Sequence, residues 1–166
     1  MLMTTNGMRH KLLDLGGGAH ALAIQILGNA DDAADAVQDA FATVLGKPEA
    51  YDDRKGPLKP WFLRVVRNRC LDQLRRQRPN DLPVEELVDT GYNPEQALQI
   101  AQQDAALKRA MAAISVDQRQ IITLRDYLDL TYAEIAEVLR IAQGTVMSRL
   151  HRARLALKEA LDVDIR

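Results

Sequence analysis

From Leu130 onward, apolar residues recur at steps of three and four in two sets separated by a short break. Tyr132, Ile135, Ala136 and Leu139 form the first set, a spacing that places them on one face of a helix. Thr131 and Glu134 precede it as a capping box, in which the threonine oxygen accepts an orphan backbone N–H and the glutamate reaches back to the cap. The pattern breaks at Arg140-Ile141-Ala142 and resumes from about Gln143, where Val146, Leu150, Ala153 and Leu157 fall at steps of four, three and four. Two helices and a tight turn of this span make a helix-turn-helix. Thr145, Ser148, Arg149 and Arg152 lie opposite the apolar stripe, where guanidinium forks and hydroxyls suit base edges and phosphates in a major groove. The same face also reads as ordinary solvated surface, so the rest of the chain has to decide.

Upstream the periodicity predicts three further helices before a break. Leu12, Leu15, Ala19, Leu22, Ala23 and Ile26 suggest a helix from about Met8 to Leu27, interrupted by Gly16-Gly17-Gly18. Each glycine inside a helix costs about 1 kcal/mol relative to alanine, so the expectation is a helix that starts only after them. The glycines are no phosphate loop, because no strand precedes them and the spacing is wrong. Asn29 is a candidate N-cap for the next helix, with Asp31 and Asp32 where the helix dipole favours negative charge. Ala34, Val37, Phe41 and Val44 would face a core, while Asp32, Asp35, Gln38 and Asp39 line another side. That acidic stripe is either plain solvated surface or a docking face for a basic partner.

A polar, turn-rich stretch from Tyr51 to Lys59 leads to Pro60, well placed as the first residue of a helix running from Trp61 to about Gln77. Leu63, Val66, Cys70 and Leu74 form its buried stripe, and Arg64, Asn68, Asp72, Arg75 and Arg76 project roughly opposite. Six arginines fall within fifteen residues (Arg64, Arg67, Arg69, Arg75, Arg76 and Arg78), which tilts this face toward phosphate. Trp61 can stack on a base or anchor a core.

Residues 79–93 break all periodicity with two prolines, a glycine and an acidic run, the marks of a flexible linker. Asn93-Pro94 opens a helix to about Ala113, and Ser115 with Gln118 forms a second capping box ahead of Ile121, Leu124 and Leu128. Four helices therefore follow the linker. The expected fold is all-α, with two small helical domains at 1–78 and 94–166 and the helix-turn-helix in the second.

Composition agrees with that division. Aromatics make up 4% of the 166 residues, and no run of β-branched alternation argues for a sheet. The net charge of −1 looks wrong for a nucleic-acid binder until it is resolved by segment: +3 over 1–80, −6 over 81–104 and +2 over 105–166. Two mildly basic modules flank an acidic connector. The single cysteine, Cys70, excludes an internal disulfide framework, and His10, His20 and His151 lack metal-ligand spacing. No cofactor, metal or membrane span is expected, nor a catalytic constellation, and a reducing cytoplasm fits best.

Three separated motifs, read together, resemble the extracytoplasmic-function group of bacterial sigma-70 family sigma factors over about Ala19 to Leu161. They are D-D-A-A-D-A-V-Q-D-A-F (Asp31 to Phe41), P-W-F-L-R-V-V-R-N-R-C-L-D-Q-L-R-R (Pro60 to Arg76), and D-Q-R-Q-I-I-T-L-R (Asp117 to Arg125) combined with L-T-Y-A-E-I-A and G-T-V-M-S-R-L-H-R-A-R. The resemblance implies a subunit that binds core RNA polymerase, at its clamp and flap, and directs it to promoter DNA without enzymatic activity. By that analogy Asp35, Gln38 and Asp39 dock on the clamp. Trp61, Arg64, Arg67, Asn68, Arg75 and Arg76, with the loop around Asp52 to Lys59, open and read the −10 element. Gln143, Thr145, Ser148, Arg149, His151, Arg152 and Arg154 engage the −35 element through bases or phosphates. An anti-sigma protein is the implied regulator.

The chain departs from the family pattern at four places. Arg140 stands where glycine is usual and Ala142 where serine is usual, so the turn lacks its usual left-handed residue and the second helix its side-chain cap. A missing cap costs about 0.5–2 kcal/mol, and an arginine forced into the left-handed turn costs roughly 1–2 kcal/mol more. Met147 replaces a basic residue, and the triple glycine replaces an aromatic- and arginine-rich segment. Two other readings compete: a free-standing helix-turn-helix regulator, which has no need of the two upstream motifs, and a decoy that mimics a sigma factor without touching DNA.

Overall fold

The computed structural model describes the backbone of residues 5–77 and 105–165. The expected linker at 79–93, the helix start at Asn93-Pro94 and Arg78 lie outside the described residues. Within them the protein is helical, with no strand. The N-terminal half comprises α1 (Thr5–Leu27), α2 (Ala30–Gly46) and α3 (Leu58–Gln77), with short 3₁₀ turns at Pro48–Ala50 and Asp53–Lys55. The C-terminal half comprises α4 (Ala105–Ala113), α5 (Val116–Ile122) with a π turn at Thr123–Tyr127, α6 (Tyr132–Leu139) and α7 (Gln143–Ile165).

Helix starts follow the local chemistry of the sequence. Asn29 Oδ1 accepts from the N–H groups of Asp31 and Asp32 at 2.9 and 3.0 Å. Both capping boxes close, Ser115 with Gln118 at 3.1 and 3.2 Å and Thr131 with Glu134 at 2.9 and 3.1 Å. Three expectations need correction. α1 runs unbroken through Gly16-Gly17-Gly18, because burial of Met8, Leu12, Ala19, Leu22 and Ala23 outweighs the helix propensity of three glycines. α3 begins at Leu58 rather than after Pro60, since Leu58 is itself buried and the proline is still in the first turn, where no helical N–H is needed. The buried stripe of α2 is Ala33, Ala36, Val37, Ala40 and Val44, with Ala34 and Phe41 only half-buried.

The two halves share one continuous apolar cluster. α1 packs on α5 and the π turn, and α3 packs on α6. At the first contact a β-carbon on Gly18 would stand 2.9 Å from Leu128 Cδ2, so this glycine lets the π-turn leucine close on α1. The other two glycines of the run meet Phe41 at an ordinary distance or nothing at all.

Polar bonds cross the same interface. Lys59 Nζ donates to the Leu128 carbonyl at 2.7 Å, and Arg67 Nε donates to Gln120 Oε1 at 2.7 Å. Arg119, 1% exposed, donates from Nε to the Gln25 carbonyl at 3.2 Å and from Nη1 to the Ile114 carbonyl at 2.7 Å. One guanidinium thus satisfies carbonyls at the end of α4 and in α1.

Arg140 takes the left-handed conformation itself, at φ 56° and ψ 48°. Its N–H reaches the Ala136 carbonyl and so does that of Ile141, at 3.1 Å, closing α6 as a glycine would. Ala142 offers no side-chain cap; its carbonyl accepts from Thr145 and Val146 at 3.0 and 3.1 Å. Arg140→Gly is therefore expected to stabilise the protein by about 1 kcal/mol, by removing the β-carbon clash in the left-handed region. A urea midpoint equal to or below that of the parent protein would contradict this account of the turn.

Candidate nucleic-acid interface

α7 presents two chemically opposite faces. Val146, Leu150 and Ala153 are buried against α5 and α6, while Gln143, Met147, Ser148, Arg149, His151 and Arg152 are exposed and Thr145 is half-buried. From Gln143 to Arg152 the exposed face is about 14 Å long, roughly four base-pair steps of duplex. Arg149 and Arg152 have no hydrogen-bond or ion-pair partner among the described residues. Ser148 Oγ donates to the Thr145 carbonyl at 3.1 Å and keeps its lone pairs. Arg154 differs from them, because Asp126 of the π turn holds its guanidinium through both Nε, at 3.2 Å, and Nη2. Those bonds raise its pKa further and pair the fork with a carboxylate at the surface.

α3 carries the second basic surface. Trp61 is half-buried with its ring centroid 5.1 Å from that of Tyr51, so part of the indole packs inward and part remains available for stacking. Arg64 is half-buried, and Asn68, Arg75 and Arg76 are exposed, with Arg75 paired to Asp72 at 3.2 Å. Arg67 does not join that outward face; it is turned to Gln120 of the other half. Arg69 donates to Thr43 Oγ1 at 2.7 Å and ties α3 to α2.

The loop before α3 is preshaped. Asp52 accepts from the Arg54 backbone at 3.0 Å and pairs with its side chain at 3.1 Å, which holds the Asp52 carboxyl below its ordinary pKa. Gly56 sits at φ 143°, a backbone region open to glycine, and its carbonyl accepts from the Tyr51 hydroxyl at 2.7 Å. Burial, with Asp53, Asp52 and Glu137 nearby, pushes the Tyr51 phenol up. Glu137 belongs to α6, so the C-terminal half stands directly over this loop.

On α2 the side chains of Asp35, Gln38 and Asp39 are exposed and form one polar face. Cys70 is buried in α3, and burial pushes its thiol up to about 12. It is a packing residue and not a reactive one.

The sequence profile of Sigma-70 region 2 matches residues 14–80, and that of Sigma-70 region 4 matches residues 104–157. The ECF RNA polymerase sigma factor SigL of Mycobacterium tuberculosis is 35% identical over 144 residues, covering 84% of this chain and 80% of that protein. The chain belongs to the ECF sigma factors.

SigE of Mycolicibacterium smegmatis is 32% identical over 147 residues; this sigma factor spans 56% of its length. Among solved structures it resembles the sigma factor RpoE from Bartonella quintana, crystallised with the anti-sigma factor NepR, at a TM-score of 0.74 and 30% identity over 95% of this chain and 98% of that one. CnrH in complex with the cytosolic domain of CnrY shares the fold at a TM-score of 0.66 and 21% identity, over 97% of this chain and 91% of that one. In this ECF sigma factor the residues assigned from sequence therefore fall into three groups. The exposed faces of α2, α3 and α7 keep most of them, while Arg67 is turned to Gln120 and Arg154 pairs with Asp126 at the surface. Arg119, Gln120 and Gln25 were given no role by sequence reasoning, and with Lys59, at the end of the loop before α3, they tie the two halves together.

Proposed function

We propose that this chain binds core RNA polymerase and directs it to promoters, and that it acts by binding alone, without enzymatic activity, in the cytoplasm. The observation that carries this reading is the presence of sigma regions 2 and 4, in order, on a chain whose α7 leaves an unpartnered arginine face outside its buried stripe. No helix among the described residues is long and apolar enough to cross a membrane. Residues 1–78 dock on the polymerase clamp through Asp35, Gln38 and Asp39. They meet the −10 element through Trp61, Arg64, Asn68, Arg75 and Arg76, groups that can pair with backbone charge and stack on an unstacked base. Residues 79–93 are the connector. Residues 94–166 sit on the flap and read the −35 element with the exposed face of α7.

The arrangement of the two halves adds a condition. Promoter elements centred at −10 and −35 lie about 25 base pairs apart, about 85 Å of duplex, whereas here α3 packs directly on α6 and Arg67 shares a cleft with Arg149 and Arg152. Both elements cannot be reached from this closed arrangement. The chain opens when the polymerase separates its halves, and an anti-sigma protein that favours the closed form opposes it.

Run-off transcription with purified core polymerase tests the function: promoter-dependent product is expected, and none on any genomic template would overturn the reading. Asp35→Lys is expected to leave the fold intact, since the residue is exposed, yet to weaken affinity for core polymerase about tenfold or more by setting like charges together. Unchanged affinity in a binding titration would return that stripe to plain surface.

A further inference from the structure

Between the two halves lies a cleft of about 210 Å³ whose lining includes three arginines. Arg67 comes from α3, and Arg149 and Arg152 come from the first three turns of α7. Ser115 and Gln118 contribute polar side chains, and Asp117 is the one acidic group on the wall. Arg149 and Arg152 have no partner among the described residues. Arg67 is set differently: its Nε is fixed by Gln120, itself 1% exposed. That bond holds the guanidinium plane in one orientation, the condition under which an arginine fork receives an oxyanion.

Three like charges on one wall, supplied by the two halves, repel one another, and one carboxylate does not balance them. Water screens that repulsion without reversing it. An anion of two or more charges converts it into attraction across the interface. The space suits such an anion, since a water molecule's share of liquid is about 30 Å³. The lining also sets the class: arginines supplied from two sides of the cleft suit a tetrahedral oxyanion, whose several acceptor oxygens can each take a guanidinium.

We propose that this cleft binds a small free phosphate oxyanion, orthophosphate or pyrophosphate, which bridges Arg67 to Arg149 and Arg152 and holds the two halves closed. The bridging follows from which elements supply the arginines, because an open chain carries Arg67 and the α7 pair on separate bodies. One consequence rests on the promoter reading above: the bound anion occupies two of the arginines that face the −35 element, so it and promoter DNA exclude each other. The binding itself does not depend on that reading.

The test is calorimetric titration of the full chain with inorganic pyrophosphate, and separately orthophosphate, at an ionic strength held constant with chloride. Saturable one-to-one binding is expected. Arg149→Gln, Arg152→Gln and Arg67→Gln are each expected to weaken it on the order of tenfold, as loss of one charge-assisted fork does, while Arg9→Gln, an exposed position on α1, leaves it unchanged. Failure of saturable binding, or an equal loss in Arg9→Gln, would overturn the site. A loss in the α7 variants with none in Arg67→Gln would overturn the bridge. Because Arg67→Gln also removes an interface bond, a double-mutant cycle with Arg149→Gln accompanies it; additive losses refute coupling through one anion and non-additive losses support it. A short duplex of unrelated sequence supplies the other source of phosphate, and binding of that duplex without binding of pyrophosphate would also sink the proposal. No polymerase or promoter enters these measurements, so their failure leaves the transcription result standing, and the converse holds.

Discussion

Arg119→Ala is expected to destabilise the protein by about 3–5 kcal/mol, the range found when one partner of a buried charged network is removed. The guanidinium is buried, and it donates to the carbonyls of Gln25 at 3.2 Å and Ile114 at 2.7 Å. Alanine leaves those carbonyls without that donor, each at a cost of about 1–3 kcal/mol, and adds a cavity of several side-chain atoms. Arg119→Lys does not rescue the loss, because one ammonium replaces a planar fork that reaches two helices. The loss has a second signature. Since the same side chain joins the halves, urea unfolding is expected to change from one transition to two, as α1 to α3 and α4 to α7 lose their coupling. A single transition with a midpoint close to that of the parent protein would refute this assignment.

Arg152→Ala acts on recognition. Its side chain is exposed on the outward face of α7, opposite Val146, Leu150 and Ala153, so the fold does not depend on it. Removing a fork that reads a base edge is expected to weaken binding of the polymerase complex to its promoter by about 1–3 kcal/mol, roughly 5- to 150-fold. Binding to unrelated duplex is expected to fall far less, because a base contact carries discrimination and a phosphate contact does not. Competition titrations with both duplexes decide it: equal losses on the two would make Arg152 a phosphate contact.

Much of this was legible because the signals are local. A threonine three residues before a glutamate, a serine three before a glutamine and an asparagine ahead of two aspartates each specify a helix start within one turn, and each start is where the sequence puts it. The buried stripe of α7 could likewise be read from spacing alone. Long-range pairing could not. Arg67 meets Gln120 across 53 residues and Arg119 meets Gln25 across 94, and nothing in either stretch marks its partner. Arg119 follows the Ser115 capping box and looks like one more charge on a short helix; its acceptors are backbone carbonyls, which every residue possesses. Arg154 likewise meets a carboxylate 28 residues upstream, in a π turn that periodicity does not announce. Gly18 is opaque for the same reason, since the close neighbour that a β-carbon there would meet is a leucine at position 128.

That leucine gives the triple glycine a graded meaning. Where Gly18 has only hydrogen, the π turn settles against α1; every heavy atom added there would press on a side chain rather than on rigid backbone. Alanine, valine and leucine at position 18 would crowd Leu128 more in turn, and because that contact lies where α1 meets the C-terminal half, the packing between the halves is expected to loosen by increments, with α3 and α7 left chemically untouched. The size of one side chain in α1 would then tune how tightly the two halves hold together.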